Sequence, residues 1–431
     1  MRKTITRISI YTTVIMLLAG AVKAQNLDTV ATEFKPSGKL WGYAFGDYAW
    51  KGSTDEKGRG GSNQYTKVPL NANLFQWRRI YLGYDYNLSK KFSAEFLLAA
   101  EDDWAGGVVP GTGDVLTNNK FSPYVKLANV RWKNIIKGTD LVFGQSATPT
   151  FAKNGSGMAS EEVWGYRAIE RTITDIRRTS SYDFGITIMG KIGSKENFGY
   201  VLMAANGTGA KAETDQYKTF YGDIWGKFLN KKLIVDFYQD YNKMNWGVFV
   251  KTDQQRWDHD RHMTKLFAAY VDPKFTVGAE VFWNVLMGDV VDSGKDGKTY
   301  YRSTSAMGVS VFAKGKLYKD KLNFFARFDN YDPSGNLNNI VSDPNTKNYA
   351  ALTSQYEPTT KEMFTTFGID YTPVKNVHIM PNIWMNTYDC AVSATGANSA
   401  GTTYAKMNSN VSPIKGTDAV YRLTLYYIYG K

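Results

Sequence analysis

Along most of the chain, apolar and polar positions alternate with period two, and no long helical period develops after residue 25. The last segment shows the pattern plainly: Tyr421, Leu423, Leu425, Tyr427 and Tyr429 share one face, and Arg422, Thr424 and Tyr426 the other. Residues 74–86 set Ile80, Leu82, Tyr84 and Tyr86 against Arg79, Tyr81, Gly83 and Asp85. Residues 375–388 set Val377, Ile379, Ile383 and Met385 against His378, Asn382 and Asn386. Such alternation predicts strands whose two faces meet different surroundings.

The connections between these strands fall into two length classes. Short ones lie near 87–91, 134–138, 192–195, 230–231, 272–274, 315–319 and 373–375. Long, Gly/Ser/Asn/Asp-rich ones lie near 51–73, 102–121, 147–180, 207–216, 242–261, 288–301, 333–361 and 389–414. Seven short and eight long connections join sixteen strands, with all short turns on one rim and all long loops on the other. That regularity predicts an all-β fold: a transmembrane antiparallel β-barrel whose apolar side chains face lipid and whose polar side chains face a water-filled lumen. Aromatic residues near strand ends (Tyr84 and Tyr86, Trp132, Tyr371, Tyr427 and Tyr429) occupy the places of interfacial girdles. A secreted propeller would need a blade repeat of about 40 residues, and none is present.

Composition agrees and narrows the chemistry. A mean hydropathy of -0.38 excludes a bundle of apolar transmembrane helices. Aromatic residues make up 15% of the chain, which excludes a disordered one. Arg2, Lys3 and Arg7, the apolar run Ile8–Ala21 and the Val22-Lys23-Ala24 site read as an export signal over 1–24, cleaved before Gln25. Residues 25–37 form an N-terminal segment and 38–431 the barrel. Cleavage removes four of the 52 basic residues and none of the 40 acids, leaving a net charge of +8. The single Cys390 excludes a disulfide framework and reads as a lone exposed thiol in the last long loop. His259, His262 and His378 lack a serine context suited to nucleophilic catalysis, so no catalytic residue, enzyme activity or cofactor is expected. The run Asp258–His262 reads as a solvated loop ahead of a metal site, and Asp292–Gly297 lacks the ligands of a calcium loop.

Of the long connections, 147–180 is the longest and carries a helical-looking insert over Ser160–Arg171. With sixteen strands and such a third loop, the chain resembles the general diffusion porins, in which that loop folds into the lumen as a constriction. Phe143-Gly144-Gln145, Ile169-Glu170-Arg171-Thr172, Tyr182–Ile186 and Gly190 make residues 143–190 similar to the phosphate-selective porin O/P group. The resemblance implies a homotrimer in outer-membrane lipid of a bacterium. The chain departs from the usual barrel ending, since Tyr429 is followed by Gly430-Lys431, and it lacks the group's run of lumen arginines and lysines.

Selectivity is expected to reside in lumen charges level with the constriction, where low-dielectric walls focus the field. Arg79, Arg131 and Arg422 fall on the second, fourth and last strands, and Asp236, Asp240, Glu280 and Asp370 on the opposite wall. The third loop adds Arg167, Glu170, Arg171 and Arg177, among charges that cancel overall. The mature charge favours anions, whereas ten inward acids against seven inward bases favour cations. The expected function is passive diffusion of small hydrophilic solutes and ions, with a weak anion preference carried by Arg79, Arg422 and Arg171. An adhesin or structural barrel with a closed lumen, or a channel specific for phosphate or a sugar, are the alternatives. Nucleic acid is not an expected partner.

Overall fold

The computed structural model describes residues 34–55, 65, 68–101, 123–151, 159–174, 181–213, 216–243, 260–294, 299–333, 346–351, 360–390, 393–397, 403–406 and 414–430. The expected signal over 1–24 and the N-terminal stretch up to residue 33 lie outside these residues.

Sixteen antiparallel strands form the wall. They are β1 (Ser37–Ser53), β2 (Asn73–Asn87), β3 (Phe92–Glu101), β4 (Tyr124–Ile136), β5 (Thr139–Ala147), β6 (Tyr182–Ile192), β7 (Phe198–Ala205) and β8 (Thr219–Phe228). There follow β9 (Leu233–Lys243), β10 (Asp260–Val271), β11 (Phe275–Gly294), β12 (Thr299–Tyr318), β13 (Leu322–Asp332), β15 (Thr360–Val374), β16 (Val377–Cys390) and β19 (Ile414–Tyr429). Each pairs with its neighbour in the chain, except that β13 skips to β15 and β16 to β19. Pairing of β19 with β1, from Gly42 opposite Tyr429 to Ser53 opposite Ala419, closes the barrel. Closure leaves no unpaired edge, which hydrocarbon could not solvate.

The expected inversion of faces holds. Ile80, Leu82, Phe237, Leu266, Leu423 and Leu425 are exposed on the outer surface. Their strand neighbours Arg79, Tyr81, Asp236, Lys265, Arg422 and Thr424 are buried inside. The short turns need residues that tolerate the left-handed region: Gly138 (φ 79°) and Asn376 (φ 69°) each end a two-residue turn.

Three expected long loops hold more regular structure than composition indicated. The connection placed at 288–301 is largely strand, because β11 and β12 each run for 20 residues. The connections at 333–361 and 389–414 contain β14 (Thr346–Ala351), β17 (Ser393–Ala397) and β18 (Thr403–Lys406). These extend the sheet beyond the wall: β14 pairs with Val290–Gly294 of β11, β18 with β14, and β17 with β18. Alanine, a weak strand former, is their commonest residue, so their pairing comes from the edge that the long hairpin offers.

The seam depends on Tyr429, the terminal aromatic of the last strand. Its ring lies over Gly42, and its hydroxyl donates to the Tyr81 carbonyl at 2.7 Å. A Cβ on Gly42 would stand 2.2 Å from both the Tyr429 Oη and the Tyr81 carbonyl oxygen, so only glycine fits. Gly42→Val should therefore cost about 1–3 kcal/mol by overpacking. A refolding titration should show a smaller fraction of heat-modifiable, compactly migrating barrel than wild type; an unchanged fraction would show that the seam does not depend on this contact.

Candidate functional site

The third long connection, between β5 and β6, enters the barrel. Its helix α1 (Ser160–Trp164) is shorter than the sequence pattern suggested, because Gly165 takes the left-handed conformation (φ 70°) and ends it with an N–H bond to the Glu161 carbonyl at 3.0 Å. Beyond Gly165 the chain folds back on itself around Glu161. That buried carboxylate accepts from the Thr172 N–H at 2.8 Å and from Arg167 Nε at 3.3 Å. The Trp164 indole donates to the Glu170 carbonyl at 3.0 Å, and a Glu170 carboxylate oxygen accepts from the Arg171 N–H at 2.7 Å.

A loop inside a barrel carries carbonyls that have no strand partner, and each needs a donor once water is excluded. The wall supplies cations. Arg78 on β2 donates to the Ala168 carbonyl at 2.7 Å, and Arg422 on β19 to the Ile169 carbonyl at 3.3 Å. Arg327 on β13 reaches the Arg171 carbonyl at 2.6 Å, and Lys314 on β12 the Trp164 carbonyl at 3.0 Å. Side-chain pairs add to this. Arg167 donates to Tyr43 Oη at 3.0 Å, Tyr166 to Asp370 at 3.1 Å, and Thr174 to Glu280 at 3.1 Å. Burial and the Asp370 carboxylate push the Tyr166 phenol well above its ordinary range, so it remains a donor. Trp164 packs 5.3 Å from Phe312 and 6.2 Å from Phe325, ring centre to ring centre.

The cations are themselves held. Asp47 on β1 lies 3.4 Å from Arg78 and 3.6 Å from Arg422, and Arg422 also donates to Asn382 at 2.8 Å and sits 4.6 Å from the Trp384 ring centre. Arg327 is chelated by Asp329, with its Nε at 2.9 Å. Hydrogen bonds to charged groups of this kind each contribute about 1.5–3 kcal/mol.

The fastenings run from β10, where Lys265 lies 3.5 Å from Ser160 Oγ, through β19 to β2. β2 and β10 stand opposite each other in a sixteen-strand wall, so the fastenings span half of its circumference. One cavity adjoins the loop and another opens at the short-turn rim. The first, of about 430 Å³, adjoins Tyr166, Lys314, Asp370, His378 and Tyr426 on the fastened side. The second, of about 880 Å³, lies against β4–β8, lined by Arg131, Lys191, Val201 and Trp225.

The residues singled out from sequence separate into groups. Arg79, Arg422, Arg167, Glu170 and Arg171 come together around the loop, with the Arg79 guanidinium 5.7 Å from the Phe45 ring centre. Glu280 and Asp236 are buried on the opposite wall, Asp236 at 3.9 Å from Lys265. Arg131 stands apart near the short-turn rim, paired with Asp140 at 3.5 Å. Arg177 lies outside the described residues. Of Asp258–His262, residues 258–259 also lie outside them. Asp260 and Arg261 begin β10, Asp260 accepting from Tyr241 and Arg261 standing 3.3 Å from Asp240. Among the described residues no group of three or more metal-binding side chains forms.

Sequence reading missed Arg78, Lys126 and Lys265. Lys265 was recoverable from the alternation of Met263, Lys265, Phe267 and Ala269, all buried inside. Arg78 was not: Phe45 pairs with Arg79 but Gly46 with Trp77, so Arg78 is the extra residue of a β-bulge. The bulge breaks period two and turns two consecutive arginines into the lumen.

Replacing Arg78 with Ala removes the cation on the Ala168 carbonyl, and replacing Arg422 with Ala removes one of the two on the Ile169 carbonyl, so either change should loosen the loop while the barrel stays closed. In limited proteolysis of the folded barrel, cleavage within 148–181 should accelerate in both variants; protection equal to wild type would assign the fastening elsewhere.

No protein-family model and no curated protein matches the chain. Among solved structures, the outer membrane channel DcaP of Acinetobacter baumannii is 14% identical, with 94% of this chain and 100% of that one covered at a TM-score of 0.55. The anion-selective porin from Comamonas acidovorans is 12% identical over 92% and 100% of the two chains, with a TM-score of 0.53. The outer-membrane expressed OmpT of Vibrio cholerae is 10% identical over 93% and 100%, at 0.51. At such identities the likeness is one of fold, and that fold is the closed sixteen-strand barrel of bacterial outer-membrane porins.

Proposed function

We propose that this protein is an outer-membrane channel through which small hydrophilic solutes and ions diffuse passively, with a weak preference for anions and no chemical step. The observation that carries the reading is the third loop, fastened inside a polar-lined barrel along half its circumference by side chains from β10 round to β2. Such a loop narrows the lumen, and a cavity of about 880 Å³ opens beyond it at the short-turn rim of β4–β8. The exposed apolar outer face suits hydrocarbon.

The anion preference follows from the placement of charge. Arg79, Arg171 and Lys126 stand on the β2–β4 side, with Lys126 paired to Glu101. Asp183, Asp223 and Asp236 stand across on β6–β9. Asp183 is covered by donors from Tyr221 at 2.8 Å and the Gly207 N–H at 2.7 Å, which blunts the acidic side. At physiological salt, charges act over about 8 Å, so only those at the narrowest level matter. The likeness of residues 143–190 to the porin O/P group supports small anions as solutes, and a trimer as the assembled form.

Reconstituted liposomes should swell with small sugars and stop swelling above a size cutoff; absence of swelling with correctly inserted barrel would support a closed, adhesin-like barrel. In a KCl gradient across a planar bilayer, Arg79→Ala with Arg171→Ala should move the zero-current potential toward cation selectivity. Arg422 is left intact there because it holds the loop. An unmoved potential, or a wild type already strongly cation-selective, would refute the anion preference.

A further inference from the structure

The rim of short turns carries a charge pattern that the channel does not use. The seven connections are 88–91, 137–138, 193–197, 229–232, 272–274, 319–321 and 375–376, and together they hold ten lysines and three acids. The eight long connections hold 17 basic and 16 acidic residues. Of the net +8 carried by residues 25–431, the short turns therefore supply +7 and the long loops +1. The three acids of the short turns are each taken up by a lysine: Glu196 by Lys191 at 2.8 Å, Asp272 by Lys232 at 2.8 Å and Asp320 by Lys316 at 2.6 Å.

A second observation fixes the depth of this charge. In every short turn an exposed apolar side chain on the outer surface lies within two or three residues of an exposed lysine. Leu88 precedes Lys90 and Lys91, Ile136 adjoins Lys137, and Ile192 leads to Lys195. Leu229 leads to Lys231, Phe275 follows Lys274, Tyr318 adjoins Lys319, and Val374 adjoins Lys375. Ile136, Leu229 and Val374 are 67%, 65% and 61% exposed, so the apolar belt continues to the turn itself. Tyr84, Tyr371 and Tyr427 are exposed on the same lower band. Ammonium groups at the edge of an apolar belt, beside an aromatic girdle, sit at the level of lipid phosphates.

We propose that the short-turn rim is a collar that binds the headgroups of anionic phospholipids in the leaflet it faces. The proposal rests on the reading of the chain as a membrane barrel, with its short turns toward the periplasm. Headgroup phosphate is favoured over a cell-wall polymer because the lysines ring the whole circumference and abut the hydrocarbon-facing belt, whereas a polymer below the membrane would be met by charges at the turn tips alone. The collar would select net-negative lipids and weaken with salt.

The test uses the full barrel refolded into liposomes of mixed phosphatidylcholine and phosphatidylglycerol. Native mass spectrometry of the extracted barrel then reads which lipid is retained. Each lysine near a charged surface contributes roughly a fivefold factor. Wild type should thus retain phosphatidylglycerol over phosphatidylcholine by about tenfold or more at low salt. A combined Lys90→Gln, Lys91→Gln, Lys195→Gln and Lys319→Gln variant should lose most of that enrichment, as should wild type in high salt. Equal retention of both lipids by wild type, or equal enrichment in wild type and variant, overturns the collar. Unchanged lipid enrichment with weakened binding of purified cell-wall sacculi by the variant would also overturn it and assign the lysines to the wall. Heat-modifiable migration checks insertion first; a chain that never inserts refutes the membrane-barrel reading itself, and the two failures are told apart.

Discussion

Away from water, every backbone N–H and carbonyl needs a partner, and this one constraint shapes both halves of the molecule. Outside, it forces the sheet to close, with β19 returning to β1 and Tyr429 sealing the join over Gly42. Inside, it makes a loop that enters the lumen depend on donors from the wall. Arg78, Arg422, Arg327 and Lys314 provide them, each aimed at a carbonyl between Trp164 and Arg171. A short helix ended at Gly165, followed by a turn around Glu161, exposes these carbonyls in different directions, so cations from four strands are needed to meet them.

This changes what a lumen arginine signifies. Read along the sequence, Arg79 and Arg422 are two charges pointing into a pore. In the fold, Arg422 holds the Ile169 carbonyl while balanced by Asp47 and Asn382, and its charge is largely spent on holding the loop. The proposed weak preference rests instead on charges with fewer structural duties, on the loop and on the wall. Neutralisation by neighbours, as at Lys126 with Glu101 and Arg261 with Asp240, is why a simple count of inward acids and bases says little about selectivity.

The barrel was legible because its physics is periodic. Alternation marked which face of β2, β16 and β19 meets lipid, and the two classes of connection marked sixteen wall strands. The site was legible only in part. Lys265 obeyed the alternation, but Arg78 entered the lumen through a bulge, which no period-two reading detects. The carbonyls that fix the roles of Arg78, Arg327 and Arg422 lie 90 to 253 residues away in the chain, and no local pattern announces such contacts. Strands β14, β17 and β18 were hidden for a different reason: their residues pair because the long β11–β12 hairpin presents an edge, a cause outside their own sequence.

That the fastened third loop sets the width of the passage is tested most directly by single-channel conductance of a barrel lacking residues 155–175. The carbonyls held by Arg78, Arg422, Arg327 and Lys314 all lie in this segment, so its removal should leave a closed, heat-modifiable barrel with a clearly higher conductance than wild type. A correctly folded deletion with unchanged conductance would contradict the claim and place the constriction in another part of the lumen.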